Sequence, residues 1–305
     1  MLTTIECAGH PRDMGQAQGA ASIRSLRAEV ERLGLPTKRS RWPRLRPLAT
    51  GSVRGIGAGR EMLRHFAHLS ERLEGVARAA DLPLDSVLEL HLRVRAGGAK
   101  GGLLSRRATL RSRALSGSGG EKRLQLERSL PRPLGGEAAW ILRESRPAVG
   151  FCSVEVTLPW LVSSVAGVNE CGLAVVGGPM LWGRSDYSGH SSSRLLVQEC
   201  LHRSSDLEGA IDWCLKRPVE GDQSILLCDA SGALATLFVT GTERRVQVGE
   251  GELHLEGGEV PTSDSDSDGV QDASPYSVED RVLLDAKSGS LRIELGGAEL
   301  EVAAR

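Results

Sequence analysis

A layered α+β fold is what this sequence predicts. Three observations point there: the N-terminal third repeats its apolar residues at helical intervals, the stretches beyond residue 150 read as short strands rich in branched residues, and a helical pair interrupts those strands. Helices grouped ahead of strands, with one helical pair among the strands, argue against a parallel doubly wound sheet.

In chain order, residues 14–33 place Ala17, Ile23, Leu26, Val30 and Leu33 at helical spacing, and Met62, Phe66, Leu69, Leu73, Val76 and Ala80 alternate steps of four and three. Both segments are therefore expected to form amphipathic helices. A third helix follows Leu84 and carries Val87, Leu88 and Leu92. The segment 96–122, rich in Gly, Ser and Arg, reads as a linker-like break between a helical portion (1–95) and a strand-rich portion (123–305) of a single domain. Beyond it "VEVTL", the two apolar runs of "VAGVNECGLAVV" (165–176), "SILLCD", "ALATLFVT", "RRVQV" and "SLRIEL" have the length and branched residues of strands. The helical pair covers 192–202 and 205–216. Its second member opens on a capping box, Ser205-Asp206-Leu207-Glu208.

The 305 residues carry a net charge of −1, which supplies no global attraction to nucleic acid or anionic membranes. Charge is uneven: eight basic side chains face one acid from Lys38 to Arg64. The basic run "KRSRWPRLRP" (38–47) has one aromatic, two prolines and no nucleic-acid module, so a solvated loop is expected and no nucleic-acid partner. The N-terminus lacks the basic flank and apolar run of a secretory signal, and no window approaches the roughly 18 apolar residues of a membrane span. A cytoplasmic protein without membrane association is the expectation. Cys7, Cys152, Cys171, Cys200, Cys214 and Cys228 form no C-x-x-C pair and sit mostly inside apolar runs, as small buried thiols do. Five of the seven histidines, His10, His91, His190, His202 and His254, form no metal-ligand spacing.

Four stretches in order, "GHPRDMGQAQG" (9–19), "VTLPWLVSSVAGVNECGLAVV" (156–176), "SRLLVQECLHRSSDLEGAIDWCL" (193–215) and "QSILLCDASGALATLFV" (223–239), resemble the acyl-coenzyme A:6-aminopenicillanic acid (isopenicillin N) acyltransferase-like branch of the N-terminal-nucleophile hydrolases. The match spans most of residues 1–248. The resemblance implies a four-layer αββα sandwich of two antiparallel sheets with its chemistry at one end. It also implies a precursor that cleaves itself before an internal Cys, whose thiol then attacks amide or thioester carbonyls with its freed α-amino group as base.

Position by position, that machinery is missing. The family's Gly-Cys-Thr/Ser stretch aligns with Gly102, Leu103, Leu104 and Ser105, so Leu103 takes the place of the nucleophile. Leucine has no lone pair with which to attack. Arg128 is kept, but Pro131 stands where the family has an Asp that orients the new amino group, and Ser224 replaces an Asn ahead of Asp229. Asn169, with Glu170 beside it, corresponds to an Asn that helps hold substrate or oxyanion, and would face the open end of the sandwich. Two readings of it stand, because Asn also suits the positive φ of a hairpin turn. Arg128 likewise reads either as a ligand contact or as solvated surface or a structural ion pair. Ser105 is the one nearby hydroxyl that could replace the thiol.

In "DSDSDGVQD" (264–272), Asp264, Asp266 and Asp268 alternate before Gly269, with Asp272 at the ninth position of a calcium-type loop. Position twelve is Pro275 instead of a bidentate Glu, so a Ca²⁺ site and a plain solvated acidic loop (262–274) are both open. No other cofactor is implied. The leading expectation is an acyltransferase- or amidohydrolase-family protein that has lost cysteine-dependent hydrolysis and self-cleavage and keeps a pocket for a small acyl or amide ligand. An active C–N hydrolase or acyltransferase with a non-Cys nucleophile, and a calcium-binding interaction protein, are the alternatives.

Overall fold

The structure is a computed structural model and describes residues 2–38, 53–93, 108–116, 122–131, 133, 139–180, 190–249, 254–255, 280–296 and 298–304. Strand β1 (Thr3–Gly9) leads into five helices: α1 (Pro11–Ala21), α2 (Ile23–Arg32), α3 (Val53–His65), α4 (Ala67–Ala79) and α5 (Leu84–Leu92). Seven strands follow, β2 (Leu110–Ser116), β3 (Lys122–Ser129), β4 (Ile141–Pro147), β5 (Ser153–Thr157), β6 (Ala166–Asn169), β7 (Ala174–Met180) and the short β8 (Ser191–Ser192). The helical pair α6 (Leu195–Arg203) and α7 (Leu207–Lys216) then precedes β9 (Val219–Cys228), β10 (Leu234–Gly241), β11 (Glu243–Gly249), β12 (His254–Leu255), β13 (Arg281–Asp285), β14 (Ser290–Leu295) and β15 (Ala298–Ala303).

These strands form two sheets. The larger has the order β1-β4-β5-β6-β7-β9-β10-β11, with β8 against β9, and the smaller has β12-β2-β3-β13-β14-β15. Pairing is antiparallel except where β1 meets β4 and β8 meets β9. The sheets pack face to face through β3 on β7 and β13 and β14 on β6, while α1, α6 and α7 lie against the larger sheet. The α+β layering and the paired sheets are as the sequence predicts.

Coverage on both faces explains why the central strands read as continuous apolar runs. Leu173 to Val176 and Ile225 to Cys228 are fully buried on both sides of the larger sheet. In the smaller sheet β14 alternates between buried and half-buried residues, while on β13 the outward Leu283 is buried as well. Leu126, Val282, Leu284, Leu291 and Ile293 point inward, and Arg113, Glu127, Arg281 and Glu294 form an outward ladder of ion pairs.

The sequence reading does not name β1, β3, β4, β8, β12, β13 or β15, the helix expected over residues 62–80 is broken at Phe66, and the details depart from it in three further places. The helix expected over 14–33 is two helices meeting at Ser22, which lets α1 lie on the sheet while Leu26 and Val30 of α2 join the main core. Strand β2 falls inside the linker-like segment, where Leu110, Ser112 and Ala114 alternate with Arg111 and Arg113. The cap of α7 is Asp206 and not Ser205: the Asp206 carboxylate accepts from the Gly209 amide at 2.8 Å, and Ser205 Oγ donates to that same carboxylate.

Helices α1 and α4 meet backbone to backbone. A Cβ on Gly75 would lie 2.2 Å from Arg12 O, and one on Gly15 would lie 2.0 Å from Arg72 O.

Beneath α1, a charged group sits in the larger sheet. Arg143 and Glu155 are register partners on β4 and β5, and both are 0 % exposed. Arg143 Nε donates to Glu155 Oε2 at 2.7 Å, and its Nη2 pairs with that oxygen as well. Arg143 Nη1 donates to Gln18 Oε1 (2.9 Å) on α1 and to Leu161 O (3.0 Å), and Nη2 donates to Gln198 Oε1 (2.5 Å) on α6. Glu155 Oε1 accepts from Ser153 Oγ (2.5 Å) and Gln198 Nε2 (2.7 Å), with His202 Nε2 at 3.6 Å. Burial alone would raise the Glu155 pKa, but Arg143, helped by His202, holds it well below the usual carboxylate range. Breaking a buried pair by removing one charge costs about 3–5 kcal/mol. Glu155→Gln is therefore expected to lower the unfolding free energy by about that amount, measured from urea-denaturation midpoints.

Candidate functional site

Arg128 is the site residue to build from. It lies near the end of β3 on the inner face, between Leu110 of β2 and Val282 of β13 in register. Its side chain is 2 % exposed. Nε crosses to the other sheet and donates to Gly177 O of β7 at 2.7 Å, Nη1 donates to Ser129 O at 3.2 Å, and the guanidinium carbon lies 5.7 Å from the centre of the Trp140 ring. Pro131 offers no carboxylate. Its carbonyl accepts from Trp140 Nε1 at 3.1 Å. Arg128 is thus neither solvated surface nor half of an ion pair among the described residues.

Two more basic groups stand nearby. Arg194, just ahead of α6, donates from Nη1 to His91 O at the end of α5 (3.4 Å). The neighbouring Ser193 Oγ donates to Gln223 Oε1 (3.0 Å), and Gln223 Nε2 packs over Gly177, 2.7 Å from where a Cβ would stand. A chain of contacts therefore runs from His91 through Arg194 and its neighbour Ser193 to Gln223, and from there to Gly177, whose carbonyl Arg128 holds. His91 is 2 % exposed, and both of its ring nitrogens lack a partner among the described residues. Burial, then repulsion from Arg194, pushes the Arg128 pKa down to about 9 and that of His91 down to about 3.

Ser224 belongs to this end of the molecule. It is half-buried on β9, and its carbonyl and Cβ lie against Gly178, the residue after the Arg128 acceptor.

Asn169 does not belong to it. It ends β6, whose pairing with β7 puts Val165 opposite Gly177, so four residues, roughly 13 Å of strand, separate Asn169 from the Arg128 end. The Asn169 side chain is 0 % exposed: Nδ2 donates to Leu201 O (3.0 Å) and Ser204 O (2.8 Å) at the end of α6, and Oδ1 accepts from the Cys171 and Leu173 amides (3.1 and 3.0 Å). Those four bonds exhaust a carboxamide. Its role here is to tie a turn to a helix end, and the positive φ of that turn belongs to Gly172 (81°). Glu170 is exposed and accepts from the Cys152 amide (3.0 Å). The expectation that Asn169 and Arg128 share one site is therefore corrected.

All six cysteines lie among the described residues, and none is on β2, β3, β7 or β13. Burial and then Glu170 raise the pKa of the partly buried Cys152 and Cys171. Cys200 stands 3.3 Å from Cys214, and that contact, then burial, carries its pKa well above the ordinary thiol value. Burial and Asp229 push Cys228 up to about 12. These shifts disfavour the thiolate, the reactive form. A separate cavity of about 300 Å³ between the ends of β4 and β5 and strand β15 is lined by Glu144, Arg146, Cys152 and Glu301 among others, and Cys152 is its one thiol.

Leu103 and Ser105 lie outside the described residues, as do Asp264, Asp266, Asp268 and Asp272. Among the described residues no group of three or more His, Cys, Asp or Glu is placed to hold a metal ion, and no helix is long and apolar enough to cross a membrane. Sequence reasoning missed Arg194, Gln223 and the environment of His91. The only signal for the first was its place at the head of the resembling stretch 193–215.

No family model matches the chain, and no curated protein matches it. Among solved structures it is similar to penicillin V acylase from Agrobacterium tumefaciens, with 16 % identity over 63 % of this chain and 84 % of that one (TM-score 0.44). It is also similar to two variants of conjugated bile acid hydrolase from Clostridium perfringens, each 10 % identical: one covers 64 % of this chain and 92 % of its own (TM-score 0.42), the other 65 % and 84 % (TM-score 0.32).

The neutral burial of His91 has a pH consequence. Between its unfolded pKa of about 6.5 and its folded value of about 3, the unfolded chain binds a proton that the folded chain refuses. Stability is full above that window and falls as pH drops into it. The lowered pKa of buried His202 acts in the same direction. Going from pH 7 to 5.5 is expected to cost about 1 kcal/mol through His91, and His91→Phe is expected to remove that share when denaturation midpoints are compared at the two pH values.

Proposed function

We propose that the chain is a member of the acyltransferase-like branch of the N-terminal-nucleophile hydrolases that has lost cysteine-dependent amide hydrolysis and self-cleavage, and that the Arg128 end of its sandwich serves as a pocket for a small acyl or amide ligand. One observation carries the reading. The arginine of the family pattern is kept and buried between the sheets, while no thiol of the chain lies on β2, β3, β7 or β13 and Cys228 ends β9 opposite Ala174, away from Arg128. A nucleophile needs a base within reach and a stabilised anionic form, and burial with carboxylate neighbours at Cys152, Cys171 and Cys228, and the Cys214 thiol with burial at Cys200, raise the thiol pKa values instead. Pro131 removes the carboxylate that would hold a freed amino group. The layered α+β architecture and the order of the four resembling stretches support membership.

Two measurements test this. The purified protein is expected to remain one chain of 32.5 kDa by intact mass, and hydrolysis of a phenylacetyl anilide is expected to stay at background with or without iodoacetamide. Two fragments dividing near residue 102, or alkylation-sensitive turnover, would overturn the proposal. Serine-dependent turnover that survives alkylation would replace it with the active-hydrolase reading built on Ser105.

A further inference from the structure

Arg128 brings a full positive charge into the gap between the sheets, and everything it meets there among the described residues is neutral: two backbone carbonyls and the face of Trp140. A buried guanidinium without a counter-charge is costly, because carbonyl dipoles replace only part of the water it has lost. The contrast within the molecule is direct. Arg143, equally buried, has Glu155. At Arg128, the position where the resemblance leads one to expect an acid is Pro131.

A second deficit lies at the same end. His91 turns two unpartnered ring nitrogens into a region that already contains Arg194, whose charge acts on His91 and Arg128 alike. A neutral amide would leave the Arg128 charge in place. An anion would answer it, and a carboxylate suits the planar donors of a guanidinium. Leu110 and Trp140, both buried beside Arg128, are apolar side chains that a hydrocarbon tail would meet there.

We propose that the ligand of this pocket is a carboxylate-bearing acyl compound, a free carboxylic acid with an apolar tail, and that Arg128 is its charge partner. The inference rests on the reading of the Arg128 end as a ligand pocket, and the test separates the two. The full-length protein is melted with sodium octanoate, with octanamide at the same concentration, and with sodium chloride at matched ionic strength.

Octanoate is expected to raise the midpoint saturably, while octanamide and chloride leave it unmoved. In Arg128→Met, which replaces the uncompensated charge with an apolar chain, the ligand-free midpoint is expected to rise and the octanoate response to vanish. A shift with octanamide as large as with octanoate would keep the pocket and overturn the carboxylate. No shift with either compound would overturn the pocket reading too. An octanoate response surviving in Arg128→Met would overturn the role of Arg128, and the wild-type comparison decides the ligand class even if that variant does not fold.

Discussion

The Arg143–Glu155 pair is the constraint around which the larger sheet and its helices are arranged. Two charges at 0 % exposure are tolerable only if each is answered by the other and by hydrogen bonds that use up the remaining donors and lone pairs. Those bonds come from four separate parts of the chain: Gln18 on α1, the carbonyls of residues 161 and 162, Ser153 on β5 and Gln198 on α6. Each contributor must arrive in place for the pair to be satisfied. The position of α6 in turn sets Ser193 and Arg194 at its head and His202 and Ser204 at its tail, the latter received by Asn169. One ion pair thus relates the turn at Asn169 to the opposite end, where Arg128 lies.

The two ends of the β6–β7 hairpin have different characters. At the turn, every polar group is answered locally, and the hairpin at Asp229 repeats the pattern: its carboxylate accepts from the Ser231 and Ala233 amides as Asn169 accepts from those of Cys171 and Leu173. Gly172 and Gly232 carry the positive φ in the two turns. At the other end Arg128 is held by backbone carbonyls and the Trp140 ring, with no carboxylate beside it among the described residues.

Much of the architecture was legible because it is written in local patterns. Helix periodicity, strand length and the asparagine and aspartate turns are short-range features, and α4, α6, α7, β9 and β10 emerged where the residues put them. Strand β1 escaped notice because "TTIECAG" alternates too weakly to be told from a loop, and its parallel pairing with β4 joins residues far apart in sequence. Arg143 and Glu155 look in the sequence like ordinary charged residues of exposed strands. Only the closing of α1 and α6 over them turns them into a core. The resembling stretches also take on a physical meaning: Gly15, Gln18, Asn169, Gln198 and Asp229 all lie within them, and all act as framework. The resemblance therefore speaks to how the chain is held together, while around Arg128 it reaches only the heads of two stretches, at Ser193 and Arg194 and at Gln223 and Ser224.

The contact of α1 with α4 has a consequence for how such a chain can change. Where Gly15 and Gly75 bring the two backbones together, the main chain of each helix is the other's packing surface. Exchange of the flanking side chains over many generations leaves that joint intact so long as the glycines persist. Two descendants could keep the same helical floor while sharing almost none of the residues built upon it.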